Sequence, residues 1–321
     1  MTLNDFLADW HSPCPTLQIQ TSGSTGTPKT ILAEKSRMTA SARITCQFLG
    51  LQPNDTALLC LPLDFIAGKM MVVRALTCHL QLIPVTPSAH PFATLTTPPT
   101  FAAITPMQAF ETLKNPTEKQ LLSRTPKVII GGGAINPQLA QQLAHMPNAI
   151  YSTYGMTETL SHIALRRLSG PTASEWYTPF PSVSLSLDQR SCLIINAPTV
   201  CPDTLTTNDI AQLDPSQRFR IIGRADNVIC SGGIKIQAEE VERLLQPHIN
   251  VPFIITYQPD ERLGQALTLL LENGDTNNAK SLCDTLLPRY WRPKHIISLP
   301  QLPRTPTGKL KHTPYSPTTP I

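Results

Sequence analysis

Nine residues near the start of the chain bring together side chains suited to holding phosphate: Thr21-Ser22-Gly23-Ser24-Thr25-Gly26-Thr27-Pro28-Lys29. Small residues let backbone N–H groups approach a polyphosphate, hydroxyls add donors, and Lys29 offsets negative charge. A P-loop of the kinase or GTPase kind needs a lysine directly after its glycine, with Ser or Thr following. Here Thr27 and Pro28 separate Gly26 from Lys29, so that reading fails. Taken alone, the run also fits a flexible turn.

The run is similar to the signature loop of the adenylate-forming superfamily, which includes acyl-CoA synthetases, luciferases and the adenylation domains of peptide synthetases. Four more segments match in the family's order: Tyr154-Gly155-Met156-Thr157-Glu158, Asp209 within Thr207-Asn208-Asp209, Gly223-Arg224-Ala225-Asp226, and Pro303-Arg304-Thr305-Pro306-Thr307-Gly308-Lys309. Together they cover the chain from Thr21 to about Lys311. The resemblance implies an ATP-dependent acid:CoA ligase with ATP and Mg²⁺ as cofactors and coenzyme A as co-substrate. It also implies an α/β fold of the acyl-CoA synthetase kind. A large α/β N-terminal domain would span residues 1–222, and a small α+β lid residues 223–321, hinged near Asp226. In the family the lid rotates after adenylation, withdrawing one lysine and bringing the segment from Cys230 to Lys235 toward the thioester site.

The implied roles suit the chemistry. Attack of a carboxylate on the α-phosphate forces two anions together, so the site must supply cations and donors. Thr21, Ser22, Gly23, Ser24, Thr25, Gly26 and Lys29 would cradle the phosphates, and Tyr154, Gly155 and Met156 would flank the nucleotide. Glu158 would hold Mg²⁺, which favours carboxylate and phosphate oxygens, while the Thr157 hydroxyl bonds the α-phosphate. Asp209 can accept from both hydroxyls of a ribose, reinforced by Arg224. Gly131, Gly132, Gly133 and Ala134 would leave room for adenine and acyl group, and Lys309 would bridge carboxylate and α-phosphate. The plainer readings are a solvated loop carboxylate for Glu158, a turn or cap for Asp209, a tight turn for the glycines and a surface lysine for Lys309. Gly232 and Gly233 fit either a pantetheine tunnel or a hairpin turn.

The segment from Leu61 to Arg74 resembles o-succinylbenzoate:CoA ligases of menaquinone biosynthesis, which place a helix beside the acyl pocket here. A dicarboxylate keeps one carboxylate free after the other is adenylated, and a buried Arg74 could hold it bidentately, with Lys69 assisting nearer the mouth. The alternative is a structural Arg74 paired with an acid. His162, shortly after Glu158, could border the aryl group, though a lone histidine is more often structural. Two departures from the family are Asp64-Phe65, where many members carry an aromatic or histidine, and Cys230, where many carry lysine. Other aryl or short-chain acid:CoA ligases, and a nucleotide-binding homologue without catalysis, are the competing readings.

The elements that must position these residues are legible as Pro- and Gly-bounded apolar runs alternating with helix-like stretches, the pattern of an α/β fold. Ala57–Leu61, Val128–Ile130 and Ala149–Tyr151 read as buried strands. Thr105-Pro106 and Asn136-Pro137 read as capped helix starts, and residues 34 to 49 as an amphipathic helix ending at Gly50. The acids Glu239, Glu240 and Glu242 read as the solvated start of a helix. The tail from Thr313 is expected to fray.

At 321 residues the chain is large enough for two unequal domains, though it begins almost at the phosphate loop and leaves out much of the family's N-terminal subdomain. A formal charge of +4, with charged residues at 15%, suits small anions and is too mild to indicate nucleic acid or membrane. Eight scattered cysteines without CxxC spacing, no signal sequence and no long apolar run indicate a cytoplasmic protein. The expected partners are the small-molecule acid, ATP and CoA, with a homo-oligomer left open.

Overall fold

The computed structural model describes residues 1–20, 30–304 and 310–316. The chain groups into two compact units, and the division is not a single cut. Met1–Leu185, Ile195–Leu205 and Leu213–Phe219 form the first unit; Ser186–Ile194, Thr206–Gln212 and Arg220–Ile321 form the second. The chain changes units within a four-stranded sheet whose strands, in spatial and chain order, are Ser184–Leu187, Cys192–Asn196, Leu205–Leu213 and Phe219–Arg224.

The first unit is built on a seven-stranded sheet in the order Gln81–Pro84, Thr56–Leu59, Phe101–Ile104, Lys127–Ile130, Ala149–Gly155, His162–Arg167, Thr178–Pro179. The first five strands are parallel and the last two pairings antiparallel. Parallel strands need crossover connections that cover both faces, so the three inner strands Thr56–Leu59, Phe101–Ile104 and Lys127–Ile130 are mostly apolar. Alternation still sorts them. Ala57, Leu59, Phe101, Ala103 and Ile129 join one core cluster, whereas Leu58, Ala102, Ile104, Val128 and Ile130 join another. Each strand therefore feeds two cores through its period of two.

Local signals set the helices. Thr105 caps Pro106–Lys114 through a box with Gln108, and Asn136 caps Pro137–Ala144 by accepting from the Leu139 amide. Asn115-Pro116 repeats the device for Pro116–Arg124, a start the sequence reading passed over. The helix Lys35–Leu49 buries Met38, Ala42, Thr45 and Leu49, and ends where Gly50 turns left-handed at φ 67°. It packs against Ile66–Cys78, the helix carrying Lys69 and Arg74.

In the second unit the antiparallel strands Phe253–Asp260 and Gly264–Glu272 form the centre, with His295–Leu299 added in parallel. Val228–Ser231 and Ile234–Gln237 make a hairpin beside them. Its two-residue loop is Gly232-Gly233, at φ 57° and 82°, the left-handed pair that a tight hairpin requires. The helices Ala238–Leu245 and Thr276–Leu286 contribute Val241, Leu245, Ala279 and Cys283 to the core. The expected fraying of the tail does not begin at Thr313. Its carbonyl accepts from the Thr256 hydroxyl at 2.7 Å, and the Tyr315 amide donates to Tyr257 O at 2.9 Å.

Candidate adenylation site

The glycines of residues 131–133 follow the carboxyl end of Lys127–Ile130, and Glu158 lies just past the end of Ala149–Gly155. Ligands of α/β sheets bind outside that edge. The Gly131 amide donates to Ile104 O at 3.1 Å, and a β-carbon there would collide with the hydroxyl of Thr153 on the strand Ala149–Gly155, so only glycine lets the turn sit against that side chain. Gly132, Gly133 and Ala134 are exposed, and Gly132 takes φ 83°.

From Gly155 the chain makes a tightly specified turn. A β-carbon at Gly155 would strike the Ser161 carbonyl and His162. The Met156 amide donates to Thr159 Oγ1 at 3.0 Å, the Leu160 amide to Thr157 O at 2.9 Å, and the Thr159 hydroxyl to Ser161 O at 2.7 Å. Leu160 is held at φ 63°, where a branched side chain is disfavoured and surrounding bonds must compensate. The turn exposes Glu158 and buries Thr159 and His162. Tyr154 packs with its ring edge toward Phe219 at 5.0 Å between centroids, and Phe219 stacks on Tyr177 at 5.3 Å.

No cluster of three or more His, Cys, Asp or Glu side chains suited to a metal occurs among the described residues. Mg²⁺ is usually held by one or two carboxylates together with substrate phosphates. Glu158 is an exposed carboxylate of this kind.

Arg74 is 2% exposed and the largest fully buried side chain among the described residues. Its Nη2 donates to Ser161 Oγ at 2.6 Å, while Nε has no hydrogen-bond partner among the described residues. Burial pushes the guanidinium down to about 10. The groups acting on it electrostatically are the thiols Cys46 and Cys78, and burial pushes Cys46 far above its usual range, so it offers no countercharge. No carboxylate among the described residues pairs with Arg74. Lys69, on the same helix, has other neighbours: its Nζ lies 3.2 Å from Met1 Sδ and 5.8 Å from the centre of the Phe6 ring. Burial lowers its pKa, opposed by Asp64 and Asp9. The structure does not bring Lys69 and Arg74 together.

Asp209 and Arg224 do meet, in the second unit. Arg224 Nη1 lies 3.1 Å from Asp209 Oδ1, and Nη2 lies 2.7 Å from Asp226 Oδ2. Burial opposes the charge of Arg224, but the hydrogen bond from Asp226 and the charges of Asp209, Asp226 and Glu239 hold it above its ordinary value. Asn208 Nδ2 donates to Asp226 Oδ1 at 3.0 Å. Behind the strand, Gln237 Nε2 donates to Arg224 O at 2.9 Å, and Glu239 accepts from the Arg224 amide, Asn227 and Gln237. Glu239 is thus a bonded support, not the solvated acid expected from its helix position. Glu242 likewise accepts from the Ile255 amide and His312, both at 2.7 Å.

Thr21–Lys29 and Lys309 lie outside the described residues. Sequence reasoning missed Ser161 and Gln237, read Glu239 as a solvated helix acid, and left His162 between a structural place and the border of the aryl group; no periodicity or motif links them to Arg74 or Arg224. No helix among the described residues is long and apolar enough to cross a membrane.

Residues 15–205 match the family model described as AMP-binding enzyme. Among solved structures, an acyl-CoA synthetase (AMP-forming)/AMP-acid ligase II-like protein from Dyadobacter fermentans is 36% identical with TM-score 0.66, covering 95% of this chain and 90% of that one. The o-succinylbenzoate coenzyme A synthetase from Bacillus subtilis, in complex with ATP and magnesium ion, has TM-score 0.75 at 20% identity, covering 92% of this chain and 68% of that one. A 2-succinylbenzoate--CoA ligase from Listeria monocytogenes is 24% identical over 96% of this chain and 71% of its own length, and one from Salmonella typhimurium 26% identical over 87% and 64%. The chain thus spans about two thirds of the length of these curated relatives. With five ordered motifs, one of them at the edge of the parallel strands, and a family model that matches more than half its residues, the chain belongs to the AMP-binding enzyme family and has its adenylate-forming fold.

Proposed function

We propose that this chain is an ATP-dependent, AMP-forming acid:CoA ligase whose acid is o-succinylbenzoate. One carboxylate attacks the α-phosphate of ATP, giving acyl-adenylate and pyrophosphate; the CoA thiol then displaces AMP to leave the thioester. The observation that carries the choice of acid is Arg74, a buried guanidinium without a carboxylate partner among the described residues, hydrogen-bonded to Ser161 three residues beyond Glu158. An unpaired buried cation is costly, and an anionic group on the substrate relieves it. The relatives named above as 2-succinylbenzoate--CoA ligases support the same acid.

Asp209 receives the ribose hydroxyls, and Arg224 holds its carboxylate in place for them. Glu158 is the carboxylate that would hold magnesium, which when bound would offset the phosphate charge. Thr157 donates to the α-phosphate, while Thr21–Gly26 and Lys29 take the remaining phosphate oxygens. Lys309 draws the attacking carboxylate and the α-phosphate together. Steady-state kinetics over a panel of acids tests the assignment: kcat/KM should favour o-succinylbenzoate over monoacids of the same length. Equal preference for a monoacid would remove Arg74 from substrate recognition.

A further inference from the structure

The hydrogen bonds around Arg74 form a sequence with a fixed direction. Thr45 Oγ1 donates to the carbonyl of Ser41 at 3.0 Å, the back-bond of a hydroxyl within the helix Lys35–Leu49. Its single proton is thereby used, so at the 3.2 Å contact with His162 Nε2 the threonine oxygen must accept. His162 therefore carries its proton on Nε2. Burial, with Arg74 nearby, pushes its pKa well below the usual value, so the ring is neutral and Nδ1 is an acceptor. At 3.2 Å the Ser161 hydroxyl donates to Nδ1, leaving its oxygen to accept from Arg74 Nη2 at 2.6 Å.

We propose that Thr45, His162 and Ser161 are positioning residues that lock Arg74 so that Nε stays open to the second carboxylate of the substrate, and so set the preference for a diacid. The inference rests on the reading of Arg74 as the substrate's anion anchor. Each donor along the chain meets one acceptor, so the Ser161 oxygen cannot turn away without leaving a buried group unpaired. Two backbone features aim that oxygen: the positive φ of Leu160 and the closeness of Gly155 to the Ser161 carbonyl. The turn that presents Glu158 on one side thus fixes the arginine clamp on the other, tying the two substrate sites through eight consecutive residues, 155–162.

The test compares o-succinylbenzoate with 4-oxo-4-phenylbutanoate, the same skeleton without the aryl carboxylate, in wild type, Ser161→Ala, His162→Phe and Ser161→Thr. The ratio of kcat/KM values should fall about tenfold in the first two variants, through KM for the diacid, as expected for losing support of one charge-assisted hydrogen bond. Ser161→Thr, which keeps the hydroxyl, should retain the ratio. If Ser161→Ala and His162→Phe lower both acids equally and leave the ratio unchanged, the positioning role is overturned. The ¹⁵N resonances of His162 in the full chain, assigned by their loss in His162→Phe, give an independent check. A neutral Nε2–H ring supports the chain; an Nδ1–H or charged ring overturns it. A wild type without diacid preference overturns the reading of Arg74 itself, whatever the tautomer.

Discussion

Arg74 and Arg224 carry the same charge in opposite surroundings. Arg224 is about a third exposed and bracketed by Asp209 and Asp226, which keep it firmly cationic. Arg74 is sealed in the first unit, touches a hydroxyl instead of a carboxylate, and has its pKa lowered by burial. A guanidinium neutralised by its own protein serves as scaffold, here holding Asp209, the carboxylate proposed to meet the ribose. One left without countercharge among the described residues can take an anion from outside, which is the role proposed for Arg74.

Replacing each arginine should break the contrast in a different way. Arg74→Met removes the uncompensated charge, so kcat/KM for o-succinylbenzoate should fall by about 10²- to 10³-fold while KM for ATP holds, as for loss of a buried charge-assisted pair. The thermal midpoint should stay level or rise, since an apolar side chain of similar reach fills the same space. A large fall in the midpoint with little kinetic loss would return Arg74 to a structural role. On the other side, Asp209→Asn should raise KM for ATP about tenfold without changing the preference among acids. A change in acid preference would show that the two clusters are not separate in function.

A pair of histidines extends the comparison to pH. The pKa of His162 in the folded state lies below the unfolded value near 6.5 because of burial and Arg74. Its unfolded form therefore binds a proton first, and stability of the first unit should fall as pH drops below about 6.5, by at most about 1.4 kcal/mol per pH unit. For His312, burial is outweighed by the hydrogen bond and charge of Glu242, which raise its pKa. Its contribution to the second unit is full below about 6.5 and is lost as pH rises through the folded value. Calorimetry across pH 5 to 8 should show His162→Phe flattening the acid-side slope and His312→Gln lowering stability mainly on that side. The smallest effect belongs to Asn208→Ala, which removes one tie to the half-exposed Asp226 and should change stability by less than about 1 kcal/mol.

Much of the frame is local in origin and so was legible in sequence. Thr105-Pro106 and Asn136-Pro137 start helices because cap and proline act within one turn, and Gly50 stops one because only glycine takes its φ readily. Val128–Ile130 read as a buried strand because parallel strands are apolar on both faces. Within the site, Asp209 and Arg224 lie on strands adjacent in their sheet, and they meet. Lys69 was expected to assist Arg74, yet five residues along a helix rotate a side chain by about 140°, which already argued for different neighbours. The partners of Arg74 were not legible. Thr45 and His162 are 117 positions apart, and only the packing of a helix against the turn past Gly155 joins them. Glu239 looked like a solvated helix acid because nothing local shows that the amides and side chains of Arg224, Asn227 and Gln237 converge on it.

The central claim, that an acid is activated as its adenylate and that the acid carries a second carboxylate, is tested most directly by ATP–pyrophosphate exchange with o-succinylbenzoate and 4-oxo-4-phenylbutanoate, followed by addition of CoA. The account predicts magnesium-dependent exchange that is strong with the diacid and weak with the monoacid, then release of one AMP for each thioester formed. Exchange absent with the diacid, or equal for the two acids, would contradict it.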